Sequence, residues 1–462
     1  MRLILAALLL IAWPVAAEAN DAQELVEEVF DPATRNLNVM RLEAAIAQAQ
    51  ADAGMISQEA AAEIAATANL DTVPLDAVEA EYDIVRHRMV ALLNVWRRSL
   101  SPEAAKALHF GVTTVDIYDG TRVLQMLETL SILRSAMRRN ETAMMEIAIA
   151  HRDTLMVGRT LGQHALPITF GKKVAVWAAA NRRHIERIDE LACRLRTLGV
   201  LRGAVGSHVG LGPQAIEVEH AFARELGLGP VNPADWHGHR DVFGEYGQLL
   251  ALISRSYAGI GQEIWMLQMT DIGEVVETRP AGAQSSSTMP HKVNPSRSEA
   301  LMHWGRVIPA HASILIDDVA NMFERDNTSR PNATVEDISI AAAEMVDDMA
   351  VLLRRIEVNE ERMRENLDRT DGMILAQRIV FHVQDDLGRE HAEELVAAAA
   401  RRAMEGDMNF RAALLADAEL GPLLADEIDA LLDPATYTGL AAEQVDATVR
   451  MLSEAPTSPC GS

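Results

Sequence analysis

The stretch from Ser285 to Pro295 reads SSSTMPHKVNP and packs three consecutive hydroxyls, a lysine and an amide into a few residues. A serine hydroxyl ionises only where donors and positive charge stabilise the alkoxide. Lys292 and the local backbone N–H groups are the available sources, and Gly282 just upstream permits close backbone approach. Asn294 can both donate and accept a hydrogen bond. The simpler alternative is a polar turn that feeds the next helix, with Pro295 and Ser296 marking its start. From this stretch alone both readings stand.

Four further loops are rich in polar or small residues. HFGVTTVDIYDG offers His109, Thr113 and Thr114, which could form a carboxylate nest or simply cap a helix with Asp116. GRTLGQHALP offers Arg159, Thr160, Gln163 and His164, a set suited to an oxyanion. DWHGHRD holds His237, His239 and Arg240, but this is no zinc spacing and no cysteine is near, so no metal and no cofactor is expected. GAVGSHVGLG imitates a phosphate loop, yet it follows a helical pattern rather than a strand and lacks a GK[ST] ending.

These loops punctuate a chain of helical character. Of its 462 residues, 49% are hydrophobic and only 4% aromatic, with Ala, Leu, Met and Glu abundant. No alternation is long enough for a substantial sheet. Long helical tracts run from about Arg122 to His151, Lys172 to Leu198, Val242 to Val276, Ser296 to Phe323 and Ala333 to Ile356. Helices of that length exceed one compact domain and normally bundle, often across subunits. The net charge of −25 disfavours a nucleic-acid groove and leaves room for a local basic pocket for a small anion.

The first residues read as a secretory signal: Arg2, an apolar run from Leu3 to Val15, and a small-x-small site ending at Ala19. A periplasmic or secreted protein follows from that, or a cytoplasmic one if the segment is not a leader. Cys193, in a helical pattern, reads as a buried structural thiol; a bridge to Cys460 in the tail is the alternative. The expected organisation is a leader (1–19), an N-terminal helical domain (20–120), a central long-helix bundle (121–365), a smaller helical domain (366–452) and a tail (453–462).

Three of these loops and a fourth stretch, MFERDNTSRPN, together resemble the signatures of the fumarase/aspartase superfamily. SSSTMPHKVNP is similar to GSSxMPxKxNP, with Ser285 for glycine. HFGVTTVDIYDG is similar to HxGxTSxDxxDT, with Thr114 for serine and Gly120 for threonine. GRTLGQHALPITFG and MFERDNTSRPN are similar to the two remaining regions. The resemblance implies an all-α chain with three helical domains, a central bundle completed in a homotetramer, and active sites shared between subunits. It also implies removal of a proton next to a carboxylate and passage through an aci-carboxylate on a polycarboxylate substrate. By position, Ser286 becomes the catalytic serine; Lys292 and Asn294 hold the substrate, and Ser287 and Met289 shape the loop. His109, Thr113, Thr114, Arg159, Thr160 and Gln163 bind or polarise it, Arg325 and Ser329 close the anion pocket, and Glu299 matches an acid that orients a second-region histidine.

That histidine is missing. The RTHGQ pattern becomes Arg159-Thr160-Leu161-Gly162-Gln163, and leucine cannot transfer a proton. His164 is the one nearby group that could partly replace it. The departure, with DWHGHRD, tilts the resemblance towards 3-carboxy-cis,cis-muconate cycloisomerases. A C–N lyase releasing fumarate from an N-succinyl compound, and a non-catalytic structural or binding homologue, are the alternatives.

Overall fold

The computed structural model describes residues 21–233, 236, 238–279, 289, 291–320, 322–326, 328, 331–406 and 408–454. The leader, Ser286, Ser287, Ser329, His237 and Cys460 lie outside the described residues.

Six helices come first: α1 (Ala22–Phe30), α2 (Pro32–Asp52), α3 (Gln58–Thr67), α4 (Leu75–Val85), α5 (Arg88–Arg97) and α6 (Pro102–Ala107). Then come α7 (Thr114–Ala150), a hairpin of β1 (Leu155–Thr160) and β2 (Gln163–Thr169), α8 (Phe170–Thr197), α9 (Ala215–Glu225) and α10 (Asp241–Leu267). β3 (Val275–Glu277), α11 (Ser296–Asp317), α12 (Pro331–Arg355), β4 (Ile356–Val358) and α13 (Glu360–Asp368) follow. Helices α7, α8, α10, α11 and α12 pack side by side as the bundle. The protein is therefore all-α, with two small antiparallel pairs among the described residues, β1–β2 and β3–β4. Among the described residues no helix is long and apolar enough to cross a membrane.

α7 shows how the sequence sets these lengths. It starts at Thr114 rather than near Arg122, because Thr113 and Asp116 form a capping box in which the Thr113 N–H donates to Asp116 Oδ2 at 3.0 Å. Met126, Leu130, Leu133, Met137 and Met144 then recur at helical spacing and are buried. Between α10 and α11 the backbones approach closely: a Cβ on Gly305 would sit 2.4 Å from Ala258 Cβ.

Buried polar groups fix the register of the bundle. Asn140 Nδ2 donates to Val346 O at 3.0 Å, and Asn181 Nδ2 donates to Met137 O at 2.9 Å. Arg182 meets the fully buried Glu141 at 2.8 Å and also donates to Leu452 O and Glu454 O, which ties the last helix (Ala441–Ser453) back onto α8. Residues 376–432 form a separate small core around Phe410, Leu414 and Leu420. Cys193 is disulfide-bonded, not the free buried thiol that its helical setting alone predicts.

The Arg182–Glu141 pair gives a stability prediction. Arg182→Met leaves a buried carboxylate with only Arg138 beside it and unties the C-terminal helix. Breaking a buried pair from one side costs about 3–5 kcal/mol, so urea unfolding of this variant should show a loss of that order.

Candidate active site

His109 occupies the turn before α7 with a φ of +64°, a conformation rarely adopted by a bulky residue. Its Nδ1 lies 2.6 Å from Oε1 of Glu43, a carboxylate buried on α2. An ionised carboxylate can only accept, so the Nδ1 that faces Glu43 carries a proton. Glu43 was not singled out from the sequence; its signal was an acid set among the buried positions Val39, Met40, Leu42 and Ile46 of one helix face.

The turn itself is held from below. Gly111 and Gly210 stack so closely that a Cβ on Gly210 would lie 2.3 Å from Gly111 O. The Asp116 carboxylate accepts from the backbone N–H of Arg202 at 3.2 Å and of Gly203 at 3.1 Å. The glycine-rich loop therefore does cradle an anion, but that anion is a side chain of the same protein. Two turns of chemistry-bearing backbone are thus locked to the start of α7.

Arg240, at the start of α10, donates to Asp119 on α7 at 2.6 Å, with both groups buried. The neighbouring Gly238 faces Glu324 O. That contact places the 322–326 loop at the same end of the bundle as His109, Thr113 and Thr114. In this loop Asp326 accepts from Met322 N–H and Thr328 N–H, both at 2.7 Å. Arg325 is half-buried, and its Nε has no hydrogen-bond partner among the described residues. Phe323 beside it is 97% exposed at a φ of +57°.

The second group of residues sits at the other end. Arg159 on β1 makes a bidentate pair with Glu274, at 2.9 and 2.6 Å, and Glu274 is fully buried. Asn366 Nδ2 donates to the same carboxylate at 2.8 Å. The Arg159 terminal nitrogens, read from sequence as substrate-binding, are thus engaged inside the protein, and Glu274 is a second acid that the sequence reading missed. Thr160 and Gln163 flank the hairpin turn. At its tip Leu161 has a φ of +53° and is fully exposed.

His164 lies across the hairpin from Arg159. Burial, and then the Arg159 guanidinium, lower its pKa, so the ring is neutral at neutral pH. A neutral imidazole accepts a proton more readily than it supplies one. The stretch leading out of the signature reaches the same end: Gln268 Nε2 donates to Val293 O at 2.9 Å. Lys292 and Met289 are exposed, Asn294 is half-buried, and Glu299 stands exposed in the first turn of α11. No acid pairs with the Lys292 ammonium among the described residues.

Two half-sites result. One holds His109, Thr113, Thr114 and Arg325; the other holds Arg159, Thr160, Gln163, His164, Lys292, Asn294, Met289 and Glu299. α7 has 37 residues, which at 1.5 Å each separates its ends by about 55 Å. The protomer does not bring the two sets together.

The fold and these loops define an all-α lyase of the fumarase/aspartase type. A family model described as lyase matches residues 20–309, and one described as adenylosuccinate lyase C-terminus matches residues 372–448. The chain is 34% identical over 420 residues to an N-acetyl-S-(2-succino)cysteine lyase of Dickeya dadantii, covering 90% of this chain and 91% of that one. It is 33% identical to an adenylosuccinate lyase of Methanocaldococcus jannaschii, covering 92% and 93%. The crystal structure of a 3-carboxy-cis,cis-muconate lactonizing enzyme from Pseudomonas putida superposes with a TM-score of 0.83 at 31% identity, covering 93% and 96%. This chain belongs to the fumarase/aspartase superfamily, in the branch of adenylosuccinate lyases and 3-carboxy-cis,cis-muconate cycloisomerases. It is an enzyme of that lyase and cycloisomerase group.

The Glu43–His109 pair is testable. Glu43→Gln keeps the shape but no longer dictates which ring nitrogen holds the proton. Turnover should fall on the order of tenfold or more. In nitrogen-15 NMR the His109 ring should change from one tautomer to a mixture, and an unchanged ring signal would refute the orienting role.

Proposed function

We propose that this enzyme breaks or forms a bond at the carbon β to a carboxylate, and that the departing atom leaves as an anion without being protonated. The observation that carries this is Leu161, which stands at the exposed tip of the β1–β2 hairpin where the family pattern has a proton-donating histidine. Departing carboxylates and thiolates are stable anions at neutral pH or close to it. An amine cannot leave in that way, because it would have to depart as an amide anion. The neutral His164 does not make good the loss.

Ser286, as its alkoxide, removes the proton adjacent to the substrate carboxylate. Electron density moves into that carboxyl group, which becomes a doubly negative aci-carboxylate. Lys292, Asn294 and the threonine hydroxyls at the start of α7 stabilise it. The electron pair then returns to form the double bond as the leaving group departs. In the opposite direction a substrate carboxylate adds across the double bond and the Ser286 hydroxyl returns the proton, which is a lactonisation.

The first reading is therefore a cycloisomerase acting on a carboxylated muconate. The second is release of fumarate from an S-succinyl thiol, favoured by the likeness to the Dickeya protein and by the same missing acid.

The reading requires more than one chain. Lys292 and His109 lie at opposite ends of the bundle, so a complete site forms only where chains associate antiparallel, as in a homotetramer. Exposed Phe323, Met322, Trp265 and Leu252 are consistent with such contacts. We also place the mature protein outside the cytoplasm, since the leader pattern and the disulfide at Cys193 both suit an oxidising compartment.

An ultraviolet assay decides among substrates by following the loss of diene absorbance from 3-carboxymuconate and fumarate release from S-succinyl and N-succinyl thiol or amine compounds. Turnover is expected with the first or second class and not with the third. N-succinyl compounds turned over at comparable rates would sink the proposal. Ser286→Ala should lower the rate at least about a thousandfold with the helical circular-dichroism spectrum unchanged. Leu161→His should raise activity towards N-succinyl compounds by about tenfold or more, in line with the usual contribution of a positioned acid.

A further inference from the structure

A lysine ammonium on a four-carbon stem is placed only as well as its backbone is held. Lys292 and Asn294 flank Val293, in the stretch that leads into α11. The Val293 carbonyl accepts from Gln268 Nε2 at 2.9 Å, across 25 residues of sequence. The other end of the same amide, Oε1, accepts from the backbone N–H of Glu277 at 2.8 Å. Gln268 is half-buried and caps the end of α10. One side chain therefore joins β3, where the chain enters the signature stretch, to Val293, where it leaves. The join needs a donor and an acceptor on one side chain, which an amide supplies.

Glu277 makes a second joint from the same strand. It is buried, and its carboxylate accepts from the backbone N–H of Arg297 at 2.9 Å and of Ser298 at 3.2 Å. Those donors belong to the first turn of α11, where Pro295 at the N-cap offers no side-chain acceptor. β3 is itself fixed: Glu277 stands opposite Ile356 of β4, and the Thr278 N–H donates to Arg355 O at 2.7 Å.

Between the two joints the backbone is braced by short turns. The Lys292 N–H donates to Met289 O and the Ser296 N–H to Asn294 O, both at 3.0 Å. The Gln268 amide uses both of its polar atoms on backbone, so it acts on the reaction only through the segment it holds. A misplacement of about 1 Å in a catalytic group can cost on the order of a hundredfold in rate, which makes such a joint consequential.

We propose that Gln268 is a positioning residue of the reaction: through Val293 it holds the backbone that carries Lys292 and Asn294, while Glu277 fixes the same segment from the start of α11. The inference rests on the roles given above to Lys292 and Asn294 in stabilising the aci-carboxylate.

The test compares Gln268→Met with Gln268→Glu in the intact mature protein. Methionine removes both hydrogen bonds at similar length. An ionised glutamate keeps the acceptor for the Glu277 N–H and loses the donor towards Val293 O. With 3-carboxymuconate or an S-succinyl thiol, whichever is turned over, both variants should lower kcat by about tenfold to a hundredfold and leave KM within about threefold. Thermal unfolding of Gln268→Glu should match wild type, since a purely structural clamp would lower its midpoint and spare kcat. Hydrogen exchange of backbone amides over residues 291–298 needs no substrate, and both variants should speed it roughly fivefold, the equivalent of one hydrogen bond. A kcat of Gln268→Glu within twofold of wild type, a rise in KM alone, or unchanged exchange would each overturn the proposal. Should Gln268→Met fold poorly, Gln268→Glu carries the test alone. If wild-type protein turns over neither substrate, the reaction reading fails by itself and the catalytic role of Gln268 falls with it, while the exchange rates still decide whether Gln268 holds the segment.

Discussion

The length of α7 is the constraint on which everything else depends. One uninterrupted helix of 37 residues puts the His109 loop at one end and the Arg159 hairpin at the other, about 55 Å away. A rigid helix cannot fold back, so neither end can complete the other within a chain. The remaining bundle helices extend this division: the 322–326 loop is tied to the first end through Gly238, and the signature exit to the second through Gln268. In the function proposed above, the two ends are set against each other between chains.

Within each end, buried ion pairs position the reactive loops. Glu43 fixes the His109 ring, Glu274 fixes Arg159, and Asp119 fixes Arg240. Pairs of this kind add little to stability compared with apolar packing, but each holds a geometry that a bare loop would not keep. Asp116 does the same for backbone, joining the capping box of α7 to the 199–214 loop. Of these four carboxylates, Glu43, Asp116 and Asp119 come from helices and Glu274 from the bend before β3.

The missing histidine is informative because the surrounding structure is complete. The hairpin turns, Arg159 is anchored, and the tip is presented, yet the residue there is a leucine in a left-handed conformation. Nothing in the packing of the protomer requires leucine at that point, since its side chain is fully exposed. In the reaction proposed above its meaning is chemical: a hairpin tip without a proton donor suits leaving groups that do not need one.

Much of the fold was legible in the residues. Ala- and Leu-rich tracts at helical spacing fixed an all-α bundle, because periodic apolar faces must be buried together, and the loops carried signatures local enough to be read without tertiary contacts. The beginning of α7 was missed by eight residues' worth of helix (Thr114 rather than Arg122), since a capping box can be recognised only when its competing reading as a ligand nest is resolved. The sequence by itself determined the class of protein, the type of groups offered to the substrate, and the absence of an acid at Leu161, all of which are properties of residue identity. Only the tertiary structure decided that Arg159 is committed to Glu274 and that burial lowers the pKa of His164. Those depend on which distant segments meet, and burial and charge act over distances in space that sequence spacing does not encode.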